Sequence, residues 1–473
     1  MEKLVSQLDI KPHTRHDSEP QSPVTSSVAH DWSPEVERKL LRKFDRYFIP
    51  TVWLMSLLCW MDRANLGNAS IAGLITDLSL TSSQFSFSII IMYFGLIAWA
   101  PIASLLLPRI RPSLYLPGMM FLWGVVTAVM GAVKTYPQLC ALRFLVGIFE
   151  SGFTPAVSFV FSCWYRRDEI GKRMSLYLTS AMMGGAFGGL IAGGVMENLE
   201  GAAGIRGWRW LFIVEGAVTM AAALLAMWTL PDLPRNWKRL TEEERGVALA
   251  RLRAVGVVGN EEPGTSGAAS LGIRRSVVRA LKDWKTWGIA VAGCFMSATL
   301  IMAYFYPVLV RGLGYTKVTT AQYMTVPIWA VGFVFALTAG FVADRAPHNR
   351  ALLVTGCLLL MMITAIITCV VYDFKARYVL LSFMTGGLWG GFTQTASYIA
   401  ELIQDFDHQA RAIALAIMTM ATVSGNIYGA YLFPAEHSPK YLLGFGVVSA
   451  TAGLSAGVIF LMWIKERREK RDL

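Results

Sequence analysis

The chain has 473 residues, of which 54% are apolar and 16% are charged, and its formal net charge is +11. Soluble domains average about a quarter charged residues, so this composition excludes a string of soluble domains and predicts an integral membrane protein. The positive charge could indicate a nucleic-acid or anionic-lipid partner. Lys and Arg lie almost wholly between apolar runs, as in the cytoplasmic loops of membrane proteins, so we expect no nucleic-acid partner.

Twelve apolar runs follow a polar start, and each is close to the roughly 20 residues that a tilted membrane-spanning helix needs. We place these runs at residues 47–66, 84–107, 114–133, 137–161, 174–196, 210–230, 286–308, 321–343, 351–371, 378–402, 411–433 and 441–464. The sequence therefore predicts an all-α membrane protein with twelve transmembrane helices.

The gap between the sixth and seventh runs is the longest in the chain and divides it into two halves. We predict a disordered to basic tail at 1–46, six-helix bundles at 47–230 and 286–464, a linker at 231–285 and a tail at 465–473. Thr241 and Glu244 have capping-box spacing, which predicts a short helix in the linker. Residues 256–272 are rich in Gly and Ser and are predicted to be flexible.

The connections between runs alternate in charge. Basic residues occupy one set of connections, at Arg109, Arg111, Arg166, Arg167, Lys172, Arg173, Arg345, Arg350 and Arg411, and they recur in the C-terminal tail. The opposite connections are poorer in positive charge. This asymmetry predicts that both termini are cytoplasmic, and we place the protein in the plasma membrane.

Two pairs of charged residues lie inside apolar runs, where each charge is costly. Asp62 and Arg63 are adjacent in the first run, and Arg143 and Glu150 share the fourth run. The spacing of Arg143 and Glu150 is close to two helical turns, so both project from one helix face about 10 Å apart. Such residues usually face a water-filled cavity and handle ions or substrate.

Several motifs resemble one family of transporters. The second half carries a G-x-x-x-D-R motif at Gly340, Asp344 and Arg345, and the first half has a short basic turn at the matching place, as in a duplicated transporter. Four stretches add to this repeat: Asp62-Arg63-Ala64-Asn65-Leu66-Gly67-Asn68-Ala69, Arg143-Phe144-Leu145-Val146-Gly147, Trp164-Tyr165-Arg166-Arg167 and Gly207-Trp208-Arg209-Trp210. Together they resemble the major facilitator superfamily and, within it, the fungal anion:cation symporter family of allantoate, nicotinate and pantothenate permeases.

The resemblance implies roles for the four charged residues. The first and fourth helices would be neighbours on a central cavity, so Asp62, Arg63, Arg143 and Glu150 would form one cluster without net charge. Arg63 would bind a substrate carboxylate through its forked guanidinium. Asp62 and Glu150 would carry the proton, and Arg143 would hold an acid ionised. The alternative is a static salt-bridge network that only ties two helices together.

Other candidate residues are uncharged. The hydroxyl of Tyr93 could reach a substrate oxygen, although a packing role is an equal alternative. In the second half, Gln394 and Asn426 are the preferred polar contacts. The aromatic residues Tyr304, Tyr306, Trp329, Trp389 and Tyr398 are candidates for the cavity wall, or else for core packing. Gly340, Asp344 and Arg345 are predicted to act in gating.

Two further features are interpreted as structural. Arg209 and Glu215, near the start of the sixth run, fit an anchor better than a ligand site. Six glycines in the fifth run form a small-residue face that predicts close helix packing: Gly184, Gly185, Gly188, Gly189, Gly193 and Gly194.

We therefore predict a secondary transporter, not an enzyme, that imports a small organic carboxylate together with protons. A vitamin acid, a ureide or an aromatic monocarboxylate would fit the site. The alternatives are an exporter of an acidic secondary metabolite by proton antiport and a non-transporting nutrient sensor. We expect no cofactor and no metal, and we expect a monomer in the lipid bilayer.

Overall fold

The computed structural model describes residues 34–106, 110–234, 236–254, 275–403, 406 and 408–472. The predictions made for the chain before residue 34, for Arg109 and for residues 256–272 lie outside the described residues. The first half and the linker contain eight helices: α1 (Pro34–Ala69), α2 (Ser82–Leu106), α3 (Pro112–Met130), α4 (Tyr136–Glu150), α5 (Phe153–Trp164), α6 (Arg167–Asn198), α7 (Gly207–Thr229) and α8 (Glu242–Ala254).

The second half follows a helical segment at 275–282 and repeats the same plan. Its helices are α9 (Trp284–Leu300), α10 (Met302–Gly312), α11 (Val318–Tyr323), α12 (Thr325–Arg345), α13 (Arg350–Val370), α14 (Phe374–Leu402), α15 (His408–Gly429) and α16 (Leu442–Asp472). The pairs α4 and α5, α9 and α10, and α11 and α12 each form one broken span.

The helix order confirms the predicted all-α fold, because twelve helical segments overlap the twelve predicted runs. In the part of the chain that the structure describes, nine helices are long and apolar enough to cross a membrane. The three segments outside that set are α1, α14 and α15. The buried charges of Asp62 and Arg63 lower the hydropathy of α1, and the apolar part of α15, Ile413–Gly429, is short.

The linker helix α8 docks against the first half. Its capping box is confirmed by reciprocal hydrogen bonds, from the Thr241 amide to Glu244 Oε2 (3.0 Å) and from the Glu244 amide to Thr241 Oγ1 (3.2 Å). Lys43 of α1 pairs with Glu244 at 2.7 Å. Arg251 is 4% exposed and pairs with Glu37 of α1 and with Glu169 at the start of α6. These ion pairs fix α8 to the end of the first bundle where α1 begins.

Contacts between the two bundles gather at the opposite end, where α1 finishes. Gln322 Nε2 donates to the carbonyl oxygen of Asn68 at 2.9 Å, and Arg311 Nη1 donates to that of Ile71 at 3.2 Å. Ser86 Oγ, near the start of α2, donates to the carbonyl oxygen of Ala430 at 2.7 Å. The bundles are therefore closed against each other at the end away from the N-terminus.

The glycine face of α6 allows part of this closure and confirms the predicted close packing at every glycine of the face except Gly194, where an added Cβ atom would meet nothing within 4 Å. A Cβ atom added to Gly185 would lie 2.2 Å from Trp329 Cε2, and one added to Gly189 would lie 2.4 Å from Thr325 Oγ1. On the other side, a Cβ atom at Gly184 would lie 2.5 Å from the carbonyl oxygen of Leu57. The face thus has two neighbours, α1 within its own bundle and α12 of the other bundle.

Candidate functional site

An ion pair between α1 and α4 lies near the middle of the first bundle. Arg63 Nε donates a hydrogen bond to Glu150 Oε2 at 2.7 Å. The Glu150 side chain is 0% exposed and that of Arg63 is 15% exposed. Glu150 Oε1 has no hydrogen-bond partner among the described residues. The structure thus brings together Arg63 and Glu150 as predicted, but it leaves the buried carboxylate incompletely satisfied.

Asp62 does not join this pair by direct contact, and its place in the predicted cluster of four charges stays a prediction. Asp62 Oδ2 accepts hydrogen bonds from Trp123 Nε1 of α3 at 3.1 Å and from Thr219 Oγ1 of α7 at 3.0 Å. The reason is helical geometry: adjacent residues on a helix differ in direction by about 100°, from 3.6 residues per turn. Arg63 therefore faces α4, whereas Asp62 faces α3 and α7.

Arg143 also differs from the prediction, because its hydrogen bond goes to a carbonyl group. Its Nε donates to the carbonyl oxygen of Ser88 at 3.3 Å, and its Nη1 and Nη2 have no hydrogen-bond partner within the described ranges. Close packing of α4 on α2 sets this position, since a Cβ atom at Gly147 would lie 1.9 Å from the carbonyl oxygen of Met92. Arg143 is fully buried. It was predicted to hold an acid in its ionised state, but among the described residues it makes no direct contact with an acidic side chain.

Aromatic side chains connect Arg63 to the second bundle. The Arg63 guanidinium lies 5.1 Å from the ring centre of Trp60. The Trp60 ring is 5.8 Å from that of Trp389, which is 5.8 Å from that of Trp329, and Trp329 is 5.2 Å from Tyr306. We call these four residues the aromatic wall. Sequence analysis missed Trp60, although its position one helical turn before Arg63 places it on the same face.

The uncharged candidates lie at different depths. Tyr93 reaches the second bundle, with its hydroxyl oxygen 3.3 Å from that of Tyr304. Gln394 and Asn426 are both buried, and Asn426 Oδ1 has no partner among the described residues. Counted from the connected ends of α14 and α15, they differ by roughly 15 Å along the bundle at 1.5 Å per residue. Their roles as polar contacts of the substrate stay predictions.

The structure separates the two residues interpreted as an anchor. Arg209 Nη1 donates to the carbonyl oxygens of Gly131 (2.9 Å) and Val133 (2.7 Å), which ties α7 to the end of α3. Glu215 is 0% exposed, and both of its carboxylate oxygens lack a partner among the described residues. An anchor explains Arg209 and leaves Glu215 unexplained.

The residues predicted to act in gating lie at the end of α12. Asp344 and Arg345 are exposed there, and Gly340 lies one turn earlier. Their gating role stays a prediction.

The sequence profile of the Major Facilitator Superfamily matches residues 52–430. The chain belongs to the Major Facilitator Superfamily. It is similar to the MFS-type transporter cnsO of Penicillium expansum, with 30% identity over 449 residues that cover 92% of this chain and 84% of the relative. It is also similar to the MFS transporter prlL of a fungal species, with 30% identity over 91% of this chain and 85% of the relative.

Solved facilitator structures share the fold. A bacterial homologue of the human lysosomal transporter Spinster, crystallised in an inward-facing and unoccupied conformation, has a TM-score of 0.66 at 15% identity and covers 91% of this chain and 98% of its own. A D-xylose–proton symporter has a TM-score of 0.65 at 16% identity and covers 88% of this chain and 97% of its own. At these identities the likeness shows the fold alone. The protein is thus a multi-pass membrane transporter of small molecules and not an enzyme.

Proposed function

We propose that this facilitator is a proton-coupled symporter that imports a small organic carboxylate into the cell. The observation that carries the proposal is the Arg63–Glu150 pair, a charge-assisted contact of 2.7 Å with a carboxylate oxygen left unsatisfied. A buried ion pair is weak evidence for stability, because the desolvation of two charges offsets most of their attraction. Its position in a transporter favours a functional role.

The pair can couple a proton to an anion by exchange of partners. A carboxylate substrate offers Arg63 the same geometry as Glu150, and the guanidinium fork suits either one. Protonation of Asp62, which precedes Arg63 in α1, removes a negative charge close to the pair, so Glu150 can release Arg63 to the substrate carboxylate at a lower cost. Proton binding therefore raises anion affinity, and by linkage anion binding raises proton affinity.

The aromatic wall favours a substrate whose organic part is planar. Its rings start beside Arg63 and continue into the second bundle, where aromatic contacts contribute about 0.5–1.5 kcal/mol each beyond their buried area. An aromatic monocarboxylate such as nicotinate would place its carboxylate on Arg63 and its ring against Trp60 and Trp389. The proposal keeps both termini in the cytoplasm, which places the closed end on the extracytoplasmic side.

The test is uptake of four labelled acids, nicotinate, benzoate, pantothenate and allantoate, by cells expressing the protein at acidic and neutral external pH. We expect greater accumulation of at least one acid at acidic pH and its collapse with an uncoupler. Faster loss of preloaded acid in expressing cells would instead identify an exporter. Absence of any pH-dependent movement of all four acids would reject the proposal.

Two variants test the roles proposed for Arg63 and Glu150. Arg63→Lys keeps the charge but loses the fork, so anion affinity should fall. Glu150→Gln should preserve substrate exchange across the membrane and abolish uphill accumulation. Arg275→Lys and Glu436→Gln, at exposed positions, are the matched controls. If Arg63→Lys and Glu150→Gln accumulate substrate as well as the parent protein does, the assignment is wrong.

A further inference from the structure

Asp62 and Glu215 lie near each other in the first bundle, and neither makes an ion pair among the described residues. Thr219, whose hydroxyl donates to Asp62, follows Glu215 by one helical turn on α7. Residues four apart on a helix project from the same face, so Glu215 is directed towards the same interface with α1. Asp62 Oδ1 and both oxygens of Glu215 lack partners within the described ranges.

Uncharged polar groups complete this region. Asn65 follows Asp62 by about one turn on α1, is 0% exposed, and has neither its Oδ1 nor its Nδ2 bonded to a described residue. Thr127 follows Trp123 by one turn on α3, is 0% exposed, and its hydroxyl also lacks a described partner. Buried polar groups are rarely left unsatisfied in proteins, so this concentration of them indicates a binding site.

Close packing holds α3 and α7 together at this region. A Cβ atom added to Gly216 of α7 would lie 2.5 Å from the amide nitrogen of Ala128 on α3, and one added to Gly124 would lie 3.1 Å from Thr219 Cγ2. We call Asp62, Asn65, Thr127, Glu215 and Thr219 the acid-pair site. It lies on the α3 and α7 side of α1, whereas Arg63 and Glu150 lie on the α4 side.

We propose that Asp62 and Glu215 share the transported proton in the acid-pair site, apart from the Arg63–Glu150 pair that takes the substrate. This inference rests on the proposed proton coupling and identifies the group that holds the proton. Two neighbouring buried carboxylates that form no ion pair among the described residues are costly, and a shared proton removes one charge and supplies one hydrogen-bond donor. Asn65, Thr127 and Thr219 offer further donors to the remaining oxygens.

The charges on neighbouring helices explain how the two sites communicate. Glu150 and Arg143 are the buried charged residues of α4, the helix that meets α1 at the Arg63–Glu150 pair. Arg63 is adjacent in sequence but is paired with Glu150. When a substrate carboxylate takes Arg63, the charge of Glu150 is no longer neutralised and disfavours ionisation of Asp62. The acid pair then holds its proton more firmly while substrate is bound, which is the coupling that symport needs.

The first experiment detects the proton without any substrate. Infrared difference spectra of the full-length protein in liposomes are recorded as pH is raised through neutrality, with and without sodium. We expect the carbonyl stretch of a buried protonated carboxyl group at neutral pH, its loss or shift in both Glu215→Gln and Asp62→Asn, and its retention at the same frequency in Glu436→Gln. Persistence of the band at an unchanged frequency in both acid-pair variants would overturn the proposal. Loss of the band in the parent protein on adding sodium would identify a sodium site instead and would also overturn it.

The second experiment measures transport with whichever of the four labelled acids the parent protein accumulates. Glu215→Gln should reduce uphill accumulation by about 5–150-fold, the usual range of coupling free energies, and leave counterflow exchange unchanged. Accumulation by Glu215→Gln equal to that of the parent would reject the acid pair and leave the symport proposal intact. A parent protein that shows the infrared band but accumulates no acid would reject symport alone. Thr219→Val, which removes one donor to Asp62, replaces Glu215→Gln if that variant does not fold.

Discussion

The two bundles share a fold but differ in what they bury. The first encloses four charged side chains within its described spans, Asp62, Arg143, Glu150 and Glu215. In the described part of the second bundle, the one buried charged residue is Arg377, which donates to the carbonyl oxygens of Pro439 (2.8 Å) and Lys440 (2.7 Å) at the closed end. The centre of the second bundle presents Trp329, Trp389 and Tyr306 instead.

This difference teaches how a duplicated fold can divide its tasks. Charges buried together in one bundle can exchange partners, whereas charges scattered over two bundles would each need a partner of their own. Aromatic side chains carry no such desolvation cost and can contact the body of a substrate. We therefore expect changes in the first bundle to alter coupling and stability, and changes in the second to alter substrate preference.

The largest expected effect is the loss of stability when the buried Glu150 carboxylate loses its partner Arg63. Arg63→Ala leaves Glu150 buried without its cation, which costs about 3–5 kcal/mol in the free energy of unfolding. The double variant Arg63→Ala/Glu150→Gln should recover most of that loss. Arg377→Ala leaves only carbonyl groups unpaired, and its cost is about 1–3 kcal/mol. Denaturant unfolding in detergent measures all three, and equal losses for Arg63→Ala and Arg377→Ala would remove the contrast between the bundles.

The next effect concerns the surface where the bundles meet. Gly185→Ala adds a Cβ atom that would lie 2.2 Å from Trp329 Cε2. Such overpacking costs about 1–3 kcal/mol in the free energy of unfolding. The closed end should loosen, so a cysteine placed at buried Ala430 should react faster with a membrane-impermeant thiol reagent. Gly194→Ala on the same helix is the control, because a Cβ atom there meets nothing within 4 Å. Equal labelling of the two variants would contradict the assigned interface.

A smaller effect should distinguish contacts that set substrate affinity from groups that couple transport to the proton. Trp389→Phe alters ring contacts of 5.8 Å with Trp60 and with Trp329. At about 0.5–1.5 kcal/mol for such contacts, the affinity for nicotinate should fall by roughly 2–10-fold, with little change for the non-aromatic allantoate. The pH dependence of uptake should stay as in the parent protein. Competition assays at two pH values measure both quantities, and an altered pH dependence would show that the second bundle takes part in coupling.

The smallest effect concerns the linker helix, which docks on the first bundle. Burial tends to raise the pKa of Glu244, but hydrogen bonds from Lys43 and Thr241 outweigh it, and the pKa is lowered overall. Because its folded-state pKa is lowered, the ionised Glu244 side chain stabilises docking at pH values above the ordinary Glu pKa of about 4.3. This contribution is lost as pH falls through the lowered pKa of the docked state. Glu244→Gln should lose no more than about 1 kcal/mol. Hydrogen exchange of α8 at neutral and acidic pH measures it, and a difference between parent and variant that persists at acidic pH would contradict the ion-pair explanation.

The sequence by itself determined the fold. Twelve apolar runs of spanning length, the central charged gap and the basic turns at matching places in the two halves predicted the helices and their grouping, because a bilayer demands long apolar helices whatever their neighbours are. The capping box at Thr241 and Glu244 and the glycine face of α6 were also predictable, since each depends on spacing within one helix.

Tertiary structure alone decided how the charged residues are partnered. Asp62 and Arg63 are neighbours in sequence but face different helices, and Glu215 acquires its place beside Asp62 only when α1, α3 and α7 pack together. Helical periodicity gives the direction of a side chain relative to its own axis, and the rotation of each helix in the bundle gives its partner. That rotation is set by close contacts such as those of Gly147 and Gly216, which no single stretch of sequence contains.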